Sequence, residues 1–170
     1  MFLNNYYVFI QRAVGLLILA CAYAATVTSA VHAEPLPLAT NLAQAARMAR
    51  EQRVPVLIFF TLTTCPYCNT ARRDYLEPMR ASEKWRGKSI MLELQLDGAQ
   101  PLRDFAGNAT TAREFARKFA VRSVPTVIVF NDSGKPVSSP LVGLSSGDFY
   151  ALYLEQAVAS GLIDMQHPQR

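Results

Sequence analysis

Cys65 and Cys68 stand three residues apart around Pro66 and Tyr67, directly after a short apolar run, Val56 to Phe60. That run is rich in branched and aromatic side chains and too short for a free-standing helix, so it reads as a strand buried on both faces. Thr61, Thr63 and Thr64 mark its end. Asn69 to Leu76 then offers good helix formers with no Gly or Pro, and Pro66 suits a first helical turn, where a missing N–H costs nothing. The spacing puts Cys65 at a helix N-terminus and Cys68 one turn further in. Unpaired backbone N–H groups and the positive end of the helix dipole favour an anion, so the thiolate of Cys65 is stabilised over the thiol. The thiolate is the attacking species in disulfide exchange. Cys68, covered by the first turn, can attack a mixed disulfide formed on Cys65 and release the partner. The two residues have the placement of a two-thiol redox centre.

Two other chemistries use the same spacing. Cys-x-x-Cys is also half of a zinc site, but zinc needs four ligands. The chain adds only Cys21, His32 and His167 of the softer ligand types, and no metal is expected. A purely structural disulfide across two residues closes so short a loop that it would stabilise little.

The elements that must position the pair follow from composition and pattern. Asn41 can cap a helix from Leu42 to Arg50, with Leu42, Ala45, Ala46 and Ala49 on one face. Pro78 ends or bends the cysteine helix, and Trp85 packs beneath it. Ile90 to Leu96 is a second strand with Leu92, Leu94 and Leu96 on one face. Asp97 to Asn108 carries Gly98, Pro101 and Gly107 and reads as a loop insertion. Thr111 to Glu114 is a capping-box pattern that opens a helix through Phe119. Val127 to Phe130 is a strand, Asn131 to Gly134 a turn, and Pro136 to Val142 the partner strand, which its prolines confine to an edge. Ser146 to Val158 is an amphipathic last helix offering Phe149, Leu152 and Leu154 to the core, and residues 163–170 form a polar tail. The expected order is helix, strand, helix, strand, helix, strand, strand, helix.

Residues 1–33 read as a secretory signal peptide. Arg12 is the only charge there, Ala13 to Ala25 is apolar, and Val31-His32-Ala33 offers a small-x-small cleavage pattern before Glu34. The apolar run falls short of the roughly 20 residues that span a bilayer. An uncleaved anchor, and lipoprotein processing at Cys21, are the alternatives. Cleavage after Ala33 leaves Cys65 and Cys68 as the only cysteines, in a compartment where disulfides form and persist, so periplasmic export and a working cysteine pair support each other. Residues 34–40 form a Pro-containing leader and residues 41–162 one domain. The formal charge of +4 falls to +3 without Arg12, too small to argue for nucleic acid. Arg72, Arg73, Arg80, Lys84, Arg86 and Lys88 crowd the region behind the cysteine helix, as a solvated face or a patch for an acidic partner.

The element order, the strand–Cys-x-x-Cys–helix joint and the later Val124-Pro125-Thr126 together resemble the thioredoxin superfamily over about residues 40–160. The resemblance implies an α/β fold with a central mixed four-stranded sheet flanked by helices. It also implies a cis-proline at Pro125, with Val124 before it, docking an extended substrate chain beside the cysteines, together with Pro66 and Tyr67. Asp97-Gly98, Asp104 to Gly107 and Thr110-Thr111 look most like exported bacterial thioredoxins associated with sulfur oxidation and cytochrome maturation. Pro-Tyr between the cysteines is also the glutaredoxin pair, but glutaredoxins carry Thr-Val-Pro and a following Gly-Gly, where this chain has Ser123-Val124-Pro125 and none. The resemblance implies a thiol–disulfide oxidoreductase without cofactor, monomeric, with protein thiols and disulfides as substrates and a membrane-bound electron donor. A disulfide oxidase or isomerase running the other way, and a non-catalytic binding module on the same fold, are the rival readings.

Two departures bear on mechanism. The family keeps a buried Asp six residues before the first cysteine, and here that position is Phe59; its Trp just before that cysteine is Thr64. Aligning Asp97 with the family's strand-ending Asp puts Glu93 where thioredoxins keep a Lys near the pair. Glu93 points away from the leucine face, towards a second helix layer, where a partly desolvated carboxyl could exchange a proton with Cys68. Glu93 is therefore the candidate proton acceptor, the alternative being a solvated strand residue.

Overall fold

Strand β1 (Val56–Thr61) is buried along its whole length, because strands flank it on both sides and helices cover both of its faces. The computed structural model describes residues 35–144 and 147–167, so the expected signal peptide, its cleavage point and Cys21 lie outside the described residues. β2 (Ile90–Gln95) runs parallel to β1, with Phe59 paired to Glu93. β5 (Thr126–Phe130) runs antiparallel on the other side, and β6 (Leu141–Val142) closes the edge. The result is a mixed four-stranded sheet in the order β2-β1-β5-β6.

Alternation along these strands splits the core into two layers. Val56, Ile58, Phe60, Leu94, Ile128 and Phe130 face α1 (Leu42–Gln52) and α4 (Ala112–Lys118). Leu57, Phe59, Met91, Val127 and Val129 face the layer holding the two cysteines, Trp85 and the last helix, α5 (Gly147–Gln166). The caps read from the sequence are present: Asn41 Oδ1 accepts from the Gln44 N–H at 3.0 Å, and Thr111 and Glu114 form the reciprocal capping box. Trp85 lies in the cysteine layer and donates from Nε1 to Glu155 at 2.9 Å.

Several boundaries differ from expectation, each for a local reason. The cysteine helix starts as α2 (Pro66–Ala71), widens into a π turn (Arg72–Leu76) and resumes as α3 (Glu77–Ala81). Pro78 is accommodated inside it, since the wider turn shifts the hydrogen bonding just before the residue that lacks an N–H. The insertion after β2 contains a short antiparallel ladder, β3 (Leu102–Arg103) with β4 (Ala109–Thr110). The leader adds to the free edge of β2: Glu93 N–H donates to Pro37 O at 2.9 Å, and Ala39 N–H donates to Glu93 O at 2.7 Å. The expected partner strand from Pro136 to Val142 pairs only at its ends, through Pro136 and through β6, because Pro140 has no N–H for a ladder. α5 continues through Asp164 to Gln166, where a polar tail was expected. Its Gly161 is not a helix stop; a Cβ there would meet the Pro55 ring at 2.6 Å, so the glycine permits close packing on the chain before β1. The buried face of α5 is Tyr150, Leu154, Ala157 and Val158, at helical spacing, while Phe149 and Leu152 are exposed.

Candidate active site

The strand–turn–helix joint places both cysteines at the carboxyl end of β1. Cys65 has extended backbone (φ −127°, ψ 100°) and serves as the N-cap of α2, with Pro66 in the first turn. Its Sγ accepts a hydrogen bond from the Cys68 N–H at 3.1 Å, so the sulfur sits against the unpaired donors that open the helix. Cys65 keeps 8% of its surface exposed and Cys68 none. The two are joined as a disulfide, with Sγ atoms 2.04 Å apart. Tyr67 is 69% exposed and projects from the turn between them. Cys65 is thus the more accessible of the two, and Cys68 is fully shielded.

The turn leading into the pair is anchored from the end of β2. Asp97 accepts from the Thr63 N–H at 2.9 Å and from the Thr63 hydroxyl. The side-chain hydrogen bond from Thr63, followed by that from its backbone, holds the Asp97 carboxyl below its ordinary range. An Asp-Gly pair at a strand end was the available signal for this anchoring role.

Val124 is partly buried and packs against both core layers, including the one that contains the sulfurs. The peptide bond from Val124 to Pro125 is cis. Pro125 O accepts from the Gly143 N–H at 2.8 Å, which ties this turn to the end of β6.

Glu93 is buried on the cysteine side of the sheet, 3% exposed and opposite Phe59. The carboxylate is not free, however. Arg72 clamps it with Nε to Oε2 at 2.8 Å and Nη2 to Oε1 at 2.6 Å, and the buried Thr61 hydroxyl donates to Oε1 at 2.7 Å. That hydrogen bond to Glu93 is also the largest cause raising the Arg72 pKa above its ordinary value. The carboxyl expected to be partly desolvated is buried, as an ion pair whose two oxygens both accept hydrogen bonds. Arg72 lies one turn after Cys68, its backbone N–H directed at Cys68 O, and its guanidinium stacks over Phe59 at 5.9 Å. The pair pins the cysteine helix to β2. Arg72 sat among the basic residues read as a face or patch, and its spacing four residues after Cys68 was the signal for an inward role.

The rest of that basic cluster is largely committed to local partners. Arg73 pairs with Asp74, Lys84 pairs with Glu155, and Lys84 and Lys88 both lie over the Trp85 ring. Among the described residues no group of three or more His, Cys, Asp or Glu side chains could hold a metal ion.

The family described as "Thioredoxin-like domain" matches residues 42–157. The chain is similar in structure to a DsbH oxidoreductase, with a TM-score of 0.55 and 17% identity, covering 79% of this chain and 92% of that one. It is also similar to a thioredoxin-fold protein from Helicobacter pylori, with a TM-score of 0.52 and 17% identity over 69% of this chain and 75% of that one. No curated protein matches the sequence. The family match spans most of the domain, and the chain belongs to the thioredoxin-like family.

Proposed function

We propose that this protein is an exported thiol–disulfide oxidoreductase that reduces or exchanges disulfides in extracytoplasmic proteins. The observation that carries the reading is the asymmetry of the pair. Cys65 keeps a small exposed edge, on the donors of a helix N-terminus, and Cys68 is fully buried one turn behind it.

In the reduced protein the Cys65 thiolate attacks one sulfur of a substrate disulfide. A Cys65–substrate S–S bond forms, the substrate S–S bond breaks, and the displaced sulfur leaves as thiolate and takes up a proton from solvent. Cys68 then loses its proton and attacks Cys65 Sγ, which closes the internal disulfide and releases the second substrate thiolate. The substrate has gained two electrons and the protein has lost two. A membrane-bound dithiol donor restores the reduced pair by the reverse sequence. Val124 and Pro125 dock the substrate chain beside the pair, with Pro66 and Tyr67 forming the opposite lip. Glu93 acts through Arg72 as a positioning residue for the cysteine helix. Export rests on Arg12, the apolar run after it and the Val31-His32-Ala33 pattern.

Insulin reduction in the presence of a dithiol donor tests the activity. The purified protein should accelerate precipitation of the insulin B chain, and Cys65→Ser should abolish the acceleration. A rate unaffected by Cys65→Ser would leave only a binding module.

A further inference from the structure

A groove of about 600 Å³ lies along α4, and its lining includes Leu62, three residues before Cys65, and Val124, the residue before Pro125. Its floor is apolar, made by Leu62, Leu96, Val121 and Val124. Leu62 and Val124 also pack against the core layer that contains both cysteines. The rim is cationic: Arg113, Arg117 and Arg122 line the groove and all three are exposed. Among the described residues none of the three forms a salt bridge. Arg113 and Arg117 stand four apart on one helix, where like charges repel, and each has a carboxylate within electrostatic reach, Asp97 for Arg113 and Glu114 for Arg117, but no salt bridge to it. The one carboxylate on the rim, Glu114, is bound by Thr110 and Thr111 in the cap of α4. Asp97, which feels Arg113, is held by Thr63.

We infer that this groove selects the substrate: it takes an extended segment beside the target disulfide with an apolar side chain for the floor and Asp or Glu for the three arginines. The inference rests on the oxidoreductase reading and gives that site its substrate class, acidic disulfide-containing chains. Arginine suits this use because its planar guanidinium donates two parallel hydrogen bonds to a carboxylate. A positive rim beside the reacting sulfur also raises the local concentration of acidic chains and hence the encounter rate. The acidic-partner surface is therefore the groove along α4, and not the basic stretch behind the cysteines, whose charges are largely spent on local partners.

Two synthetic peptides test this, each closed by an internal disulfide and identical except for aspartates or lysines flanking the cysteines. Single-turnover oxidation of the reduced protein is followed with each. At low ionic strength the acidic peptide should react about tenfold faster, and the ratio should fall towards one as salt screens the rim. The preference should invert in R113E/R117E/R122E. It should disappear in R113Q/R117Q/R122Q, which carries the test if the reversed variant does not fold. Equal rates for both peptides in the wild type, or a preference kept by the variants, would overturn the groove assignment and leave the redox reading intact. Reaction with neither peptide, in a protein indistinguishable from Cys65→Ser, would remove the redox reading and this inference with it.

Discussion

Replacing Glu93 by Gln tests what the charged pair beneath the cysteine helix does. The substitution keeps the volume but puts an NH₂ where one oxygen accepted from the Arg72 fork, so a donor meets a donor and the guanidinium loses its counter-charge. Breaking a buried ion pair by removing one partner costs about 3–5 kcal/mol. Here Arg72 keeps 20% of its side chain exposed and a hydrogen bond to Asn69 Oδ1 at 2.8 Å, so part of its charge stays solvated. The expected loss lies below that range, at about 2–3 kcal/mol. Urea unfolding followed by Trp85 fluorescence measures it, since Trp85 is the only tryptophan and lies in the same core layer as the sulfurs. Arg72→Met and the double variant complete a cycle whose coupling energy should be about 2 kcal/mol. As a positioning residue, Glu93 should slow resolution of the mixed disulfide by a similar factor at every pH from about 6 to 9. A stability loss under about 0.5 kcal/mol would refute the ion-pair account, and a pH profile that changes shape would hand Glu93 the proton of Cys68.

Two further expectations follow from other polar groups. Among the described residues the buried Tyr150 hydroxyl has no hydrogen-bond partner, and desolvation, then Tyr75, pushes its pKa up to about 12. Tyr150→Phe should leave stability unchanged or raise it by up to about 1 kcal/mol, and a loss of that size in urea unfolding would mean that the hydroxyl has a partner. Asp97, Glu114 and Glu155 are held below their ordinary carboxyl range by hydrogen bonds from Thr63, from Thr111 and from Lys84 respectively. Each therefore stabilises the fold above its unfolded pKa, near 4, and that contribution is lost as pH falls through the lower folded value. Urea midpoints should be flat from neutral pH to about 5 and fall below about 4; a midpoint that rises on acidification would contradict the assignment.

The parts of the fold legible in the sequence were those fixed by local chemistry. A five-residue apolar run, a Cys-x-x-Cys before helix formers, an Asn cap and a Thr-x-x-Glu box each act within one turn or one strand, so pattern alone located them. The differences arise where distant residues decide. Gly161 looks like a helix end until Pro55 is seen packed against it. The leader has no strand pattern, yet the unpaired edge of β2 at Glu93 gives its backbone groups partners. In the site, the cysteine pair could be placed by spacing, while Pro125 was singled out by the family resemblance. The partners of Glu93 could not, because Arg72 reaches it across a helix–sheet contact and resembles its exposed basic neighbours in sequence. Nor could the arginine-lined groove, whose walls come from the ends of β1 and β2, α4 and the turn before Pro125.

Mixed-disulfide trapping tests the division of labour between the two cysteines most directly. Reduced Cys68→Ser and Cys65→Ser proteins are incubated with a disulfide-containing protein substrate, quenched with acid and separated without reductant. Cys68→Ser should accumulate a covalent adduct that added dithiol dissolves, because its surface thiolate attacks and nothing resolves the product, while Cys65→Ser should give none, its remaining thiol being fully buried. Equal adducts from the two variants, or an adduct from Cys65→Ser alone, would contradict the assignment of Cys65 as the attacking sulfur.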